Sequence, residues 1–519
     1  MREVRRLFAE WRGQLVDEEG IDWWDLTSLL IAPEALWLLV LRRVAAEIDG
    51  KAELWATRRG TPVRFLEILL NRAIQTFSDG MATRSAVRMM HYAGLLRRFS
   101  PAQFKEILLD KYDSGYRWRS HFAAKPGKSL SPVVLVPSAY GNVSRMASAY
   151  ARLLPEQAFL LVATRQSGRQ LQFPANVAVR DLGSYAAGDN SANETSHLTQ
   201  RLTRLRESLA EDSDLQILAR AGILDAFPGW IRNGLSARNA WREVFRREPV
   251  QAVFCGDDSN LYTRLPVMLA AGREVPTVDF HHGALDGRYI LKDLPSDAYL
   301  AKSEMERDYL VRICGLDPHR VLIGAAEVGV EGATPRRGEA AAILFSEPYE
   351  VAGMRPEEVY LEILPKLCRV ARENGRGLIV KLHPFENIAQ RRKLLDKVLA
   401  PADAKMVDVA DGPLTAELMD KAWFGVTVES TTVIDCLQHG VCGFLCGWLS
   451  FSSFGYGEQY ARFGVGELLK SAGEIDEIPQ RLLSFESRKH KSQVFTPVDV
   501  AVLQKCLTGV RTDGVRSAS

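Results

Sequence analysis

Hydrophobic positions in the first 125 residues recur at three- and four-residue spacings, in Phe65, Ile68, Leu69, Ala73 and Ile74 and again in Phe104, Ile107 and Leu108. That period predicts helices. Pro101 directly after Ser100 predicts a helix start. Beyond the Lys125-Pro126-Gly127-Lys128 linker the pattern changes to short apolar runs alternating with longer amphipathic segments, the βα rhythm of a parallel sheet. Strands are predicted at 133–136, 159–163, 252–255, 277–280 and 298–301, with helices at 145–154 and 261–271. The stretch 184–247 reads as helical and polar, with a mobile loop at 188–196.

A second βα series begins near Ala340, after the charged linker 331–339. Strands are predicted at 341–345, 378–382, 406–409, 424–428 and 443–445, and helices at 356–372, 388–399 and 432–439. The chain therefore divides into a helical amino-terminal region (1–125), a first Rossmann-like domain (126–330) and a second (331–519). The fold class is α/β, a tandem of two doubly wound sheets, and such sheets bind ligands at the carboxyl ends of their strands. The cleft between the two is the expected active site.

Composition narrows the function classes. A chain of 519 residues is long enough for about three domains at roughly 150 residues each, which excludes a lone small binding module. With 66 Lys and Arg against 64 Asp and Glu, no global field selects nucleic acid as a partner. Residues 51–128 depart from this balance with 15 basic and 6 acidic side chains. They form either a solvated basic face or a surface for peripheral membrane contact or a phosphorylated acceptor. The seven cysteines are an odd number without a CxxC pair, and His439 lacks ligand spacing to Cys436, Cys442 and Cys446, so reduced core thiols and no metal site are expected. The amino terminus lacks a continuous apolar signal region, and the apolar stretch 26–40 is interrupted by Pro33 and Glu34 and falls short of the ~20 residues that span a bilayer. A cytoplasmic location is expected, at the inner face of the membrane if the basic region docks there.

Four groups follow predicted strands. In Cys255-Gly256-Asp257-Asp258-Ser259-Asn260, adjacent carboxylates suit a general base or a hydroxyl-binding role, while a plain helix N-cap is the structural alternative. In Phe280-His281-His282-Gly283, adjacent histidines suit proton transfer near neutral pH, and Gly283 permits close backbone approach. In Lys381-Leu382-His383-Pro384-Phe385-Glu386, Lys381 and His383 share one side of a strand that Pro384 stops; both can donate to phosphate oxygens. In Glu429-Ser430-Thr431-Thr432, hydroxyls at a helix start suit an anion. After the strand 133–136 stands Pro137-Ser138-Ala139-Tyr140-Gly141-Asn142, with neither a dinucleotide fingerprint nor a P-loop. Gly141, Asn142, His281, Gly283, Glu386 and Glu429 are candidate substrate contacts.

The order of His282-Gly283, of His383-Pro384 within KLHP, and of Ser430-Thr431-Thr432 before a helix ending in His439-Gly440 resembles the GT-B glycosyltransferase-like enzymes of bacterial surface and capsule polysaccharide biosynthesis. These include bacterial sialyl- and polysialyltransferases with an HP and a Ser/Thr motif, and CDP-glycerol glycerophosphotransferases. The resemblance covers about 126–450, with the stretch from Asp297 to Gly324 similar to their interdomain segment. It implies a glycosyltransferase that moves a sugar or polyol phosphate from a nucleotide-activated donor to a surface-polysaccharide or lipid-linked glycan acceptor. It implies that His383, Ser430 and Thr431, with Lys381 and Thr432 beside them, hold the donor phosphates in place of a metal, with no cofactor beyond the donor itself. It also places His282 at the reacting centre. The sialyltransferase-like members use an acidic base before a glycine, where this chain has Ser259, so His282, Asp257 and Asp258 all stand as candidate bases. A nucleotide-sugar epimerase of the UDP-N-acetylglucosamine 2-epimerase type and a non-catalytic scaffold are the alternatives.

Overall fold

In the computed structural model, residues 2–56, 60–76, 131–163, 167, 172–186, 191–256, 258, 260–281, 295–326, 340–349, 354–383, 386–450, 456–486 and 495–508 are described. The amino-terminal helices Arg2–Ala9, Trp23–Ser28, Ala32–Glu47 and Thr61–Leu70 accompany a two-residue parallel ladder, β1 (Trp55–Ala56) with β2 (Gln75–Thr76). These helices are not a separate body. Their buried side chains, Trp23, Trp24, Leu38 and Phe65 among them, share one core with Val133, Leu135, Leu160 and Val162 of the first sheet. The long helix Phe227–Arg247 mediates this packing: Trp24 stacks on Phe227 at 5.2 Å, and a Cβ on Gly234 would lie 2.1 Å from the Trp23 ring. Arg238, buried on that helix, binds Asp17 at 2.7 Å and Glu194 at 2.6 Å. Glu194 lies within the loop predicted at 188–196, and here the expectation fails: a helix begins at Ala192, while residues 188–190 lie outside the described residues. Most of the basic stretch 51–128 also lies outside them.

The first sheet is seven-stranded and wholly parallel: β3 (Val133–Ser138), β4 (Ala158–Ala163), β5 (Val177–Asp181), β6 (Val250–Cys255), β7 (Thr277–Asp279), β8 (Ala298–Ala301) and β9 (Val321–Ile323), ordered β5-β4-β3-β6-β7-β8-β9. The second has six parallel strands, β10 (Ala341–Phe345), β11 (Gly377–Lys381), β12 (Val407–Ala410), β13 (Ala422–Thr427), β14 (Cys442–Cys446) and β15 (Glu467–Leu469), ordered β12-β11-β10-β13-β14-β15. The expected α/β tandem is therefore present, and both sheets reverse their strand order once, beside the first strand. That reversal opens a crevice between β3 and β6 in one sheet and between β10 and β13 in the other, where doubly wound sheets hold ligands.

Apolar and polar contacts join the units. Tyr299, Met305, Tyr309 and Leu310 of the first pack with Val433, Ile434, Leu445 and Tyr460 of the second in one apolar cluster, and Gln459 donates to the Met305 carbonyl and to Asp308, both at 2.9 Å. The carboxyl-terminal segment then crosses back. Ala325 donates to the Thr496 carbonyl at 2.7 Å, and Val498, Leu503 and Leu507 belong to the core formed by Val134, Phe254 and Val278. The sequence boundaries assign this segment to the second domain; its helix Val500–Thr508 packs on the first sheet instead.

Candidate functional site

Around the end of β10, its two neighbours β11 and β13 are each followed by polar residues. Lys381, the last residue of β11, is buried, and its Nζ donates to the carbonyls of Leu382 and Gly412, both at 2.7 Å. Burial lowers its pKa, against the pull of Asp411 and Glu386. His383 is half-buried two residues on. Burial, and then the Lys381 ammonium, hold its pKa below the usual histidine value, which favours a neutral imidazole with one N–H to give.

Glu386 differs from its expected place among substrate contacts. Its side chain is 1% exposed, and both oxygens are committed to the protein. Oε1 accepts from Arg391 Nε at 2.7 Å and Ser346 Oγ at 2.8 Å; Oε2 accepts from the His383 amide at 2.7 Å. It holds the loop that carries His383.

Across the crevice, Ser430 donates its amide to Thr427 Oγ1 at 3.2 Å, and its own hydroxyl accepts from the Thr432 amide at 3.3 Å. One of the three consecutive hydroxyls, one residue before the N-cap Thr431, thus takes up the first amide of the helix Thr432–Gln438. The Thr431 side chain makes no capping bond, and the buried Thr432 Oγ1 has no hydrogen-bond partner. Glu429 is half-buried and accepts from Ser450 Oγ after β14.

The first sheet places its candidates differently. Gly141 opens the helix Gly141–Leu153 at the end of β3, and a Cβ there would meet nothing within 4 Å, so the strand end is open; Asn142 beside it is exposed. His281 is 7% exposed, directly after Phe280, whose ring packs on Tyr150 and Phe254. Gly256 is required by close approach: a Cβ would sit 2.4 Å from Phe280 Cζ and 2.6 Å from Val143 Cγ1. Asp258 is a correction. It is fully buried and paired with Arg264 at 3.5 Å, which binds Asp25 at 3.1 Å, which in turn binds Arg12 at 3.1 Å. A carboxylate in that chain ties the amino-terminal helices to the first unit. The N-cap of the helix Leu261–Ala271 is Asn260, which accepts from the Thr263 amide. Asp257, His282 and Gly283 lie outside the described residues.

Three residues escaped sequence reasoning. Ser346 and Glu347 follow β10 directly, and the strand-end rule that singled out the other groups applies equally to them. Asp435 stands one helical turn beyond Thr431 and Thr432. Burial raises its pKa, while His439 on its own helix and Lys302 and Arg145 of the first unit oppose the rise. Among the described residues no cluster of three or more His, Cys, Asp or Glu is placed to hold a metal ion, and no described helix is long and apolar enough to cross a membrane. The thiols of Cys436 and Cys446 are fully buried, and burial pushes both pKa values up.

No family model and no curated protein matches the chain. Among solved structures it is similar to MnaA of S. aureus in complex with UDP, at 10% identity over 75% of this chain and 100% of that one with a TM-score of 0.45. It is similar also to the UDP-GlcNAc 2-epimerase of Neisseria meningitidis bound to UDP-GlcNAc, at 12% identity over 73% and 98% with a TM-score of 0.41, and to the glycosyltransferase SnogD of Streptomyces nogalater, at 12% identity over 72% and 99% with a TM-score of 0.40. Identities this low with TM-scores below 0.5 assign neither activity nor ligand to this chain.

Proposed function

We propose that the chain is a GT-B-type glycosyltransferase that moves a sugar, or a polyol phosphate, from a nucleotide-activated donor to a surface-polysaccharide or lipid-linked glycan acceptor. The observation that carries this is the pairing at the second switch point. A half-buried His383 backed by the Lys381 ammonium and an unpartnered Thr432 hydroxyl flank the end of one central strand. Donors so fixed suit the oxygens of a leaving nucleotide phosphate, where preorganised hydrogen bonds are worth most. In the transfer, an acceptor hydroxyl attacks the donor carbon or phosphorus, the bond to the nucleotide breaks with its electrons going to the phosphate, and a base takes the hydroxyl proton. With Asp258 committed to Arg264, the base falls to His282 or Asp257. Gly141 and Asn142 at the open end of β3 are assigned to the acceptor, and Glu429 to the donor.

The test is twofold. Thermal stabilisation against CMP, CDP, UDP and GDP should single out one base, since a ligand at 100 times its dissociation constant adds about 2.7 kcal/mol. The activated sugar or polyol of that base should then be consumed only when acceptor is present, with or without EDTA. Formation of an epimer from donor alone would overturn the transferase assignment, and the absence of any nucleotide binding would leave a scaffold.

A further inference from the structure

Beyond Phe345 the central strand of the second sheet ends in two adjacent polar residues that reach to opposite neighbours. Ser346, 4% exposed, gives its hydroxyl to Glu386 Oε1 at 2.8 Å and shares a 2.7 Å hydrogen bond with Tyr360. Through Glu386 it is tied to the His383 amide, 2.7 Å from the other carboxylate oxygen. Glu347, 7% exposed, faces the other flank: its Oε1 accepts from Thr427 Oγ1 at 2.6 Å and from the amides of Val428 and Glu429, both at 2.9 Å. Thr427 Oγ1 in turn accepts from the Ser430 amide, so a continuous path runs from Glu347 to the Ser430 loop.

These contacts begin where the ladders stop. The last register pairs of β10 are Phe345 with Lys381 and Leu344 with Val426. Neither His383 nor Ser430 has a register partner in the sheet, while Ser346 through Glu386 and Glu347 through Thr427 are linked to their backbone amides. Three donors converging on one buried carboxylate oxygen form charge-assisted bonds, roughly twice as strong as neutral ones. They also occupy the first two amides after β13, and the Ser430 and Thr432 amides are taken within the segment, which leaves a donor phosphate to the hydroxyls of Ser430, Thr431 and Thr432.

We infer that the Ser346-Glu347 pair sets both donor-binding loops from one strand, so that His383 and the Ser430–Thr432 segment are positioned together. Ser346, Glu347 and Glu386 are positioning residues, since all act through neighbours. This inference rests on the donor assignment above, and its test separates the two. Full-length wild type and the variants Glu347→Ala, Glu347→Gln, Thr427→Val and Ser346→Ala are titrated calorimetrically with CMP, CDP, UDP and GDP, after circular dichroism confirms folding.

Glu347→Ala should weaken the preferred nucleotide at least ~10-fold, because it removes three bonds each worth ~2- to 10-fold net. Glu347→Gln, which keeps the accepting oxygen, should recover most of that loss. Thr427→Val breaks the path to Ser430 without stranding a charge, keeps the question open if Glu347→Ala does not fold, and should cost ~3- to 10-fold. The readout that a merely stabilising role would not move is a double-mutant cycle. Ser346→Ala should weaken binding several-fold in wild type and by less than twofold in the His383→Ala background. Nucleotide binding by Glu347→Ala or Thr427→Val at wild-type affinity, or an additive cycle, overturns the positioning role alone. Failure of wild type to bind any of the four nucleotides overturns the donor assignment, and the positioning role with it.

Discussion

Replacing Asp258 by Asn distinguishes a structural carboxylate from a catalytic one. The side chain is fully buried and Arg264 is 2% exposed, so the substitution leaves a buried guanidinium short of one charged partner. Breaking a buried pair from one side costs about 3–5 kcal/mol. The lower end applies here, because Arg264 retains Asp25 at 3.1 Å, closer than the 3.5 Å to Asp258. About 3 kcal/mol corresponds to a fall in Tm of roughly 6–12 °C for a unit of this size. Scanning calorimetry measures it, and transfer assayed near 20 °C, where the variant stays folded, should lie within about threefold of wild type. The companion Asp25→Asn should lower Tm in the same direction through the same Arg264. A variant that melts like wild type and loses transfer ~100-fold or more would refute the reasoning and return Asp258 to the list of bases.

Three further outcomes are expected. Gly256→Ala places a methyl 2.4 Å from Phe280 and should destabilise by about 1–3 kcal/mol through overpacking, with Gly141→Ala, facing open space, as the control in calorimetric melts. Leu503→Ala should cost about 2–5 kcal/mol and speed hydrogen exchange in β6 and β7 of the first sheet, because the fully buried side chain packs there; faster exchange confined to the second sheet would contradict the crossing back of the tail. His383 binds its proton less readily folded than unfolded, so its contribution to stability is full above the ordinary value of 6.5 and is lost as pH falls from there to its folded pKa. His383→Gln should therefore flatten the dependence of Tm on pH below about 6.5, and an unchanged slope would speak against the depressed pKa.

The doubly wound plan was legible because apolar runs of four to six residues alternate with amphipathic helices, and β3, β6, β10 and β13 all stand where those runs do. What escaped were three of the four edge strands of the two doubly wound sheets: β5, β9 and β15 are short and only partly buried, so their composition does not separate them from loops. The amino-terminal helices were readable as helices but not as part of the first core, since periodicity shows that a face is apolar and not what it meets. The Trp23 contact with Gly234 and the Asp17–Arg238 pair join residues more than 200 positions apart. In the site, strand-end position singled out His383 and Ser430, which stand after β11 and β13, the two neighbours of β10. The same rule could not tell a carboxylate that faces a ligand from one that holds a loop: Glu386 and Asp258 are both strand-end acids, and buried arginines, Arg391 and Arg264, engage both.

The most direct measurement is calorimetric titration of wild type and His383→Ala with CMP, CDP, UDP and GDP. Wild type should bind one nucleotide, and His383→Ala should bind it about 10-fold or more weakly, as expected for loss of a charge-assisted donor, with its fold intact by circular dichroism. Equal affinity of the two proteins would contradict a donor site at the β10/β13 crevice.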